Sequence, residues 1–383
     1  MLPSWSLRTI VLLIYCFING LFIYKYGLRL TDWKIITGLF LLYNTAVILI
    51  TQYILPLFRS LKTTTLYIAF TAITILLIIL QYSINPTTIQ VDRWSAIHHF
   101  LDNLTTGIYP YSAQTHLGGY GSPFPVWQLL HLPFYFLHNV GLSFTVGLLL
   151  FLHSLSLHIS TSRSFCALLL LIISPAFLYE IIVRSDLMVN ILVSSSILLY
   201  CIHHKLTITQ HYIPLAIIIG LLMSTRLSAI IPFCIYYFQQ FWHTPLKQQI
   251  PFITIIITTF GITFLPLLLW DSNMLLHFQY NPFILQTRQG HLTDFLLYIP
   301  IGIILAYWHK QQLYSYFVAT TTILIILVTT TFLHQMYIQH TWLQLFQSTF
   351  DITYYGMALP TTCAALVTQQ KSSPLHNNPV HNT

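Results

Sequence analysis

Long apolar runs, each about the length of a membrane span, constrain this chain more than any other feature. The first three extend over residues 9–26, 35–57 and 64–84, and Lys25 is the one charged residue among them. Asp, Glu, Lys and Arg make up only 6% of the 383 residues, whereas a typical soluble domain contains about 25%. Because an aqueous surface cannot be built from so few charges, the sequence predicts an all-α, polytopic integral membrane protein.

The remaining apolar segments bring the expected number of transmembrane helices to about eleven. One of them, 213–241, is interrupted at Ser224-Thr225-Arg226 and indicates two half-length helices. Residues 123–138 contain three prolines and are too short for a full span, so they are expected to lie beside the membrane or half inserted in it. The segments after the polar interval are 140–159, 165–183, 186–203, 213–241, 250–270, 291–308, 312–333 and 343–366.

This pattern divides the chain into four parts. Residues 1–63 are expected to form two N-terminal transmembrane helices, and residues 64–310 a central module that carries the polar loop 85–122. Residues 311–368 are expected to be C-terminal transmembrane helices, and 369–383 a disordered cytoplasmic tail. The positions of lysine and arginine between the later segments place the loop on the extracytoplasmic side.

Composition excludes several classes of function. The net charge of +7 is spread without a basic run, so a nucleic-acid partner is not expected. The five cysteines contain no Cys-x-x-Cys pair, and the 18 histidines have no His-Glu-x-x-His spacing. The sequence therefore predicts neither a disulfide framework nor a metal or other cofactor.

Residues 91–104 have the pattern of a short interfacial helix. Asp92, His99 and Asp102 fall on a different face from its apolar side chains. This second face has two interpretations: a polar surface in contact with water, or an acid, an imidazole and a second acid gathered at the membrane surface. The apolar stripe consists of Trp94, Ile97, Leu101 and Leu104.

The loop that follows this helix carries a family resemblance. Residues 107–111 read Gly-Ile-Tyr-Pro-Tyr, and residues 118–125 are rich in glycine and proline before the apolar run 126–136. The order resembles the first external loop of the GT-C superfamily of membrane glycosyltransferases. In that family an aspartate follows a transmembrane helix, a Gly-x-x-Pro-Tyr turn comes next, and a proline-rich segment enters the membrane.

Two later stretches extend the resemblance loosely over residues 64–310. Ser174-Pro175, followed by the polar segment 184–190, is similar to the family's later Ser-Pro helix and the polar entry after it. The stretch 220–232, with Gly220, Arg226 and Pro232, resembles the family's Gly-Leu, basic residue and proline segment. The chain departs from the family in two ways: Asp92 is followed by arginine instead of a second acid, and two helices precede residue 64.

The resemblance implies a glycosyltransferase that moves a hexose or pentose from a polyprenyl-phosphate donor to an extracytoplasmic lipid, glycan or protein acceptor, with inversion. Asp92 would be the general base, since a carboxylate can accept the proton of the attacking hydroxyl. Arg184 and Arg226 would bind the donor phosphate, because guanidinium pairs with phosphate oxygens in a bidentate manner. A divalent metal is not expected beside a single carboxylate. The other candidate substrate-binding residues are Arg93, His99, Asp102, Tyr109, Tyr111, Asp186 and Arg288.

Two other classes of function stay open at the level of sequence. Ionisable residues near the bilayer could line the pathway of a secondary transporter or a lipid flippase. A membrane scaffold that keeps the fold without activity is the third reading, because the second loop carboxylate is missing. For each arginine, a side chain that extends to lipid headgroups is the structural alternative. All three readings place the protein in a bacterial plasma membrane or, in a eukaryote, in the endoplasmic reticulum membrane.

Overall fold

The computed structural model describes residues 4–60, 62–287, 290, 292–309, 312–341 and 350–368. Most of these residues are helical. The α-helices, in chain order, are α1 Ser4–Gly27, α2 Trp33–Leu49, α3 Thr63–Ser83, α4 Arg93–Thr106, α5 Pro125–Leu130, α6 Leu132–Phe136, α7 Leu142–Ser156, α8 Thr161–Ile172, α9 Pro175–Ile182, α10 Leu187–His203, α11 Ile208–Met223, α12 Ile231–His243, α13 Leu246–Trp270, α14 Ser272–Leu275, α15 Pro282–Thr287, α16 Leu292–Trp308, α17 Leu313–Gln339, α18 Thr353–Gly356 and α19 Leu359–Thr368.

The predicted all-α class is confirmed. Within the described part of the chain, extended pairing is limited to one isolated bridge between Gln114 and Tyr120, in the loop between α4 and α5. A π-helical turn over Ile50–Ile54 and a 3₁₀ turn over Leu55–Ser60 continue α2. Further 3₁₀ turns lie at Pro86–Thr88, Pro110–Ser112 and Leu227–Ile230.

Five of the described helical segments are long and apolar enough to cross a membrane. A sixth is reached if α8 and α9, which meet at a bend of 74°, are counted as one broken span. Four shorter apolar helices accompany them. The protein therefore has the helices of a membrane protein, but fewer full-length spans among the described residues than the eleven expected. The five segments are Ser6–Gly27, Trp33–Phe58, Thr63–Ser83, Leu246–Trp270 and Leu313–Gln339.

Two of the predicted spans are broken, and others form the four shorter apolar helices. The segment 165–183 bends at Ser174, whose hydroxyl accepts the Phe177 amide, and Pro175 opens the new helix α9. The segment 343–366 is not one helix in its described part, since α18 and α19 are separate there and α19 packs against α1, α8 and α17. The tail 369–383 lies outside the described residues.

Two predicted interruptions are confirmed. Helix α11 ends at Met223 and α12 begins at Ile231, while the backbone of Arg226 between them is extended, with φ −150° and ψ 148°. The segment 123–138 contains only the short helices α5 and α6 and no full span. Each interruption contributes to the site described below: Pro123 and Arg226 line its cavity, and Trp127 donates a hydrogen bond to the carboxylate of Asp186.

Helix α4 is the amphipathic helix that the sequence predicts. Trp94, Ile97 and Leu101 are buried on its inner face. The helix ends at Gly107, whose φ of 78° is the left-handed conformation that glycine adopts most readily. The chain then returns through the loop 107–122 toward the start of the same helix, so loop and helix together frame one polar region.

Candidate active site

A polar cavity of about 130 Å³ lies where five segments of the chain meet. The segments are the start of α4, the glycine-rich loop 118–123, the break between α11 and α12, helix α15 and the segment just before α18. Its wall is mainly polar: the charged residues are Asp92, Arg93, Arg226 and Asp351, and the aromatic residues are Tyr120 and Tyr354. Of the predicted site residues, Asp92, Arg93 and Arg226 line this cavity, and Asp186 lies directly behind it.

Asp92 occupies the position before the first turn of α4. Its carboxylate does not cap the helix; instead Oδ2 accepts a hydrogen bond of 2.8 Å from Thr115 Oγ1 in the loop. Gly119 permits this approach, because a Cβ at that position would lie 2.9 Å from Asp92 Oδ2. The glycine of the loop therefore makes room for the carboxylate at the cavity wall.

The aspartates that precede helices fall into two groups. Asp32 and Asp271 cap α2 and α14 with their side chains, as aspartate usually does. Asp92 and Asp186 precede α4 and α10 without capping them. A side-chain cap stabilises a helix by about 1 kcal/mol. The carboxylates of Asp92 and Asp186 accept hydrogen bonds from Thr115 and Arg226 instead, so α4 and α10 lack this stabilisation.

Asp186 is the centre of a buried ion network. Its Oδ2 accepts hydrogen bonds of 2.8 Å from Arg226 Nε and 3.0 Å from Trp127 Nε1, and Arg226 Nη2 lies 2.6 Å from the same oxygen. Arg93 Nη1 lies 3.9 Å from Oδ1. Because only 1% of the Asp186 side chain is exposed, water contributes little to the solvation of this carboxylate, and the two guanidinium groups provide its balancing charge.

Arg93 connects the network to the C-terminal part of the chain. Its guanidinium donates to the Asp351 carboxylate and, at 3.0 Å, to Thr353 Oγ1. Burial lowers the pKa of the Arg93 guanidinium. The negative groups around it, first of all the Asp351 carboxylate, together raise that pKa by more, so the net shift is upward. Arg93 is therefore a permanent cation at the cavity wall.

The cavity combines one carboxylate outside the ion network with two fixed cations. Among the described residues, the ion pairs at the cavity use Asp186 and Asp351, and Asp92 forms none. Arg226 directs Nε and Nη2 to Asp186, while Nη1 lies 3.4 Å from Ser122 Oγ at the cavity wall. This arrangement can offer a proton acceptor and an anion-binding group to the same small ligand.

His99 and Asp102, two of the predicted substrate-binding residues, do not line the cavity. His99 Nδ1 is 2.7 Å from the Gln114 carbonyl oxygen. Asp102 contacts His98 and Tyr135 instead of Asp92. The grouping of Asp92 with these two residues fails because Asp92 precedes the helix, where its side chain turns back toward Thr115.

Tyr109 and Tyr111, also predicted to bind substrate, are buried core residues and do not line the cavity. Tyr111 is 1% exposed and donates a hydrogen bond of 2.9 Å to the Pro123 carbonyl oxygen. Tyr109 packs edge-on against Trp270, and burial raises the pKa of its hydroxyl. The cavity is lined by other aromatic residues, Tyr120 and Tyr354, which the sequence motifs did not single out.

Arg184, predicted to bind the donor phosphate, does not line the cavity. Its guanidinium donates to the carbonyl oxygens of Gln81, at 2.6 Å, and Ile84, at 3.1 Å. These groups lie at the end of α3, where backbone carbonyls have no partner within the helix. Arg184 therefore caps the C-terminus of α3 by donating to these carbonyl oxygens. Arg288, another predicted substrate-binding residue, lies outside the described residues.

Replacing Arg184 by alanine is expected to lower the free energy of unfolding of the protein. The change removes two charge-assisted hydrogen bonds at the end of α3, worth about 2 kcal/mol. Thermal unfolding of the purified protein in detergent measures the loss, with Lys247→Ala on the exposed start of α13 as the control. An Arg184→Ala protein that unfolds at the same temperature as the wild type would contradict the structural role.

No protein family, curated protein or solved structure compared with this chain matches it.

Proposed function

We propose that the protein is a GT-C-like membrane glycosyltransferase that moves a sugar from a polyprenyl-phosphate donor to an extracytoplasmic acceptor with inversion. The observation that carries the proposal is the position of Asp92: its carboxylate lies outside the ion network, on the wall of a cavity that Arg226 also lines. The proposed architecture has about eleven membrane segments, to which the short and bent apolar helices contribute along with the five long ones.

The proposed reaction assigns one role to each side of the cavity. The acceptor hydroxyl loses its proton to Asp92 as its oxygen forms a bond to the anomeric carbon. On the opposite face of that carbon, the bond to the phosphate oxygen breaks, and the lipid phosphate leaves with the electron pair. Attack opposite the leaving group inverts the configuration of the anomeric carbon.

Arg226 is the proposed ligand of the leaving phosphate. Its Nε and Nη2 remain on Asp186, which fixes the plane of the guanidinium, and its Nη1 at the cavity wall is available to a phosphate oxygen. Arg93, paired with Asp351, supplies a second positive charge to the same cavity. Fixed cations that need no reorientation stabilise the developing charge more than mobile ones do.

Tyr120 and Tyr354 are the proposed sugar-contacting residues. Both line the cavity, and the Tyr354 ring lies 5.2 Å from the Arg93 guanidinium carbon. That contact fixes the ring, since a cation over an aromatic face is attracted by its quadrupole. A ring held in this way offers a flat apolar surface to one face of a sugar.

The test is consumption of a radiolabelled donor. Membranes that contain the protein and matched membranes that lack it would each receive a panel of polyprenyl-phosphate sugars, and the label remaining on the lipid would be followed. We expect one donor to lose its label only where the protein is present, with the label recovered in an acceptor. Label that stays on every donor would contradict the proposal.

A secondary transporter is the second candidate, and the broken helices favour it. The chain is interrupted at Arg226 between α11 and α12 and bent by 74° between α8 and α9, and transporters often bind substrate at such breaks. In sealed vesicles, a transporter would move the labelled lipid or its sugar between leaflets with the glycosidic bond intact. Transfer of label to an acceptor would exclude this reading.

A further inference from the structure

Three side chains with metal-binding atoms converge on the outer face of α4, away from the cavity. The ligand atoms of His98, His99 and Asp102 all lie within 4.8 Å of one another. In a tetrahedral site with bonds of about 2.1 Å, ligand atoms are about 3.4 Å apart, so small side-chain rotations would complete the set. All three residues are partly exposed and accessible to an ion from solution.

Helical spacing produces this convergence. Asp102 lies four residues after His98 and three after His99, and side chains at these spacings are neighbours on a helix. The His98 ring already contacts the carboxylate, with 3.0 Å between Nδ1 and Asp102 Oδ2. A metal ion would take the place of the proton in this contact, because the ion bonds to the same nitrogen and oxygen.

Surrounding groups orient two of the three ligands. His99 Nδ1 lies 2.7 Å from the Gln114 carbonyl oxygen, which can only accept, so Nδ1 carries the proton and the Nε2 lone pair is available. Tyr135 Oη donates a hydrogen bond of 2.7 Å to Asp102 Oδ1. Metal-binding histidines and carboxylates in proteins commonly have partners of these kinds.

We propose that His98, His99 and Asp102 form a binding site for a divalent transition metal of the Zn²⁺ class. Two imidazoles and one carboxylate suit Zn²⁺, Co²⁺ or Ni²⁺, whereas Mg²⁺ and Ca²⁺ prefer oxygen ligands alone. The proposal departs from the sequence analysis, which predicted no metal. It is independent of the proposed glycosyl transfer, since the site lies outside the cavity.

Metal titration of the full-length protein tests the site. The protein would be purified in detergent through a tag without histidine, stripped with a chelator and titrated with Co²⁺, whose visible spectrum reports its ligands, and then with Zn²⁺ in competition. We expect each protein molecule to bind one metal ion tightly. His99→Ala and Asp102→Asn are each expected to weaken Zn²⁺ binding at least about 10-fold, and Tyr135→Phe about 10-fold through the orientation of Asp102.

Matched variants separate this site from the other histidines of the chain. His153→Ala removes an exposed histidine at the end of α7. This variant is expected to bind one metal ion per molecule as tightly as the wild type. Thermal unfolding of each metal-free variant shows whether the fold is retained. The proposal is overturned if the folded His99→Ala and Asp102→Asn proteins bind Zn²⁺ as tightly as the wild type, or if His153→Ala weakens binding equally.

Discussion

Replacing Asp92 by asparagine is expected to slow sugar transfer about 10²–10⁴-fold, the usual contribution of a general base. Asparagine has nearly the same shape and can still accept the hydrogen bond from Thr115, but it cannot take the acceptor proton. The variant should therefore fold normally and still bind the donor. Loss of label from the preferred polyprenyl-phosphate sugar, measured with equal amounts of protein, gives the rate.

Asp32→Asn is the matched control for this experiment. It makes the same chemical change at an exposed aspartate that precedes α2, where asparagine is as good a cap as aspartate. Its transfer rate should equal that of the wild type. If Asp92→Asn and Asp32→Asn both retain the full rate, Asp92 is not the base, and the role of the cavity in transfer chemistry must be given up.

The second large effect is expected from Asp186→Asn, which should lower the free energy of unfolding by about 3–5 kcal/mol. The Asp186 side chain is 1% exposed and pairs with Arg226, with Arg93 close by. Removing its charge leaves the Arg226 guanidinium without its carboxylate partner in the interior, which costs far more than the pair itself contributes. Denaturant or thermal unfolding in detergent, compared with Asp32→Asn, measures the difference.

A double variant shows whether the loss comes from the uncompensated charge. Asp186→Asn combined with Arg226→Gln removes both members of the pair, so part of the stability should return, and the two single effects should not add. The Asp186–Arg226 pair would not stabilise the fold as expected if the two single losses of unfolding free energy simply added in the double variant. The same conclusion would follow if Asp186→Asn were as stable as the wild type.

Much of the secondary structure could be predicted because it depends on local pattern. The apolar stripe of α4 at Trp94, Ile97 and Leu101 follows helical periodicity alone. The interruption at Arg226 is visible as three polar residues inside an apolar run. The sharp bend before Pro175 could be read only in part, because Ser-Pro marks the start of a helix without giving its angle to the one before.

The site was predicted less completely because its contacts are distant in sequence. Asp92, Arg93, Asp186 and Arg226 do come together, as the loop motifs suggested. The partner of Arg93 is Asp351, 258 residues away, and no local pattern joins them. The contact of Arg184 with the end of α3 could not be predicted, because a buried arginine that caps a helix and one that binds phosphate have the same sequence context until the distant carbonyl groups are located.

The bond between Arg93 and Asp351 also sets an order of events during synthesis. A ribosome that adds about 5–20 residues per second needs about 13–52 s to cover the 258 residues between them. From the addition of Arg226 until that of Asp351, the two guanidinium groups of the network, on Arg93 and Arg226, have only the carboxylate of Asp186 to pair with. The cavity therefore reaches its final charge balance only when the last segments of the chain have been made and inserted.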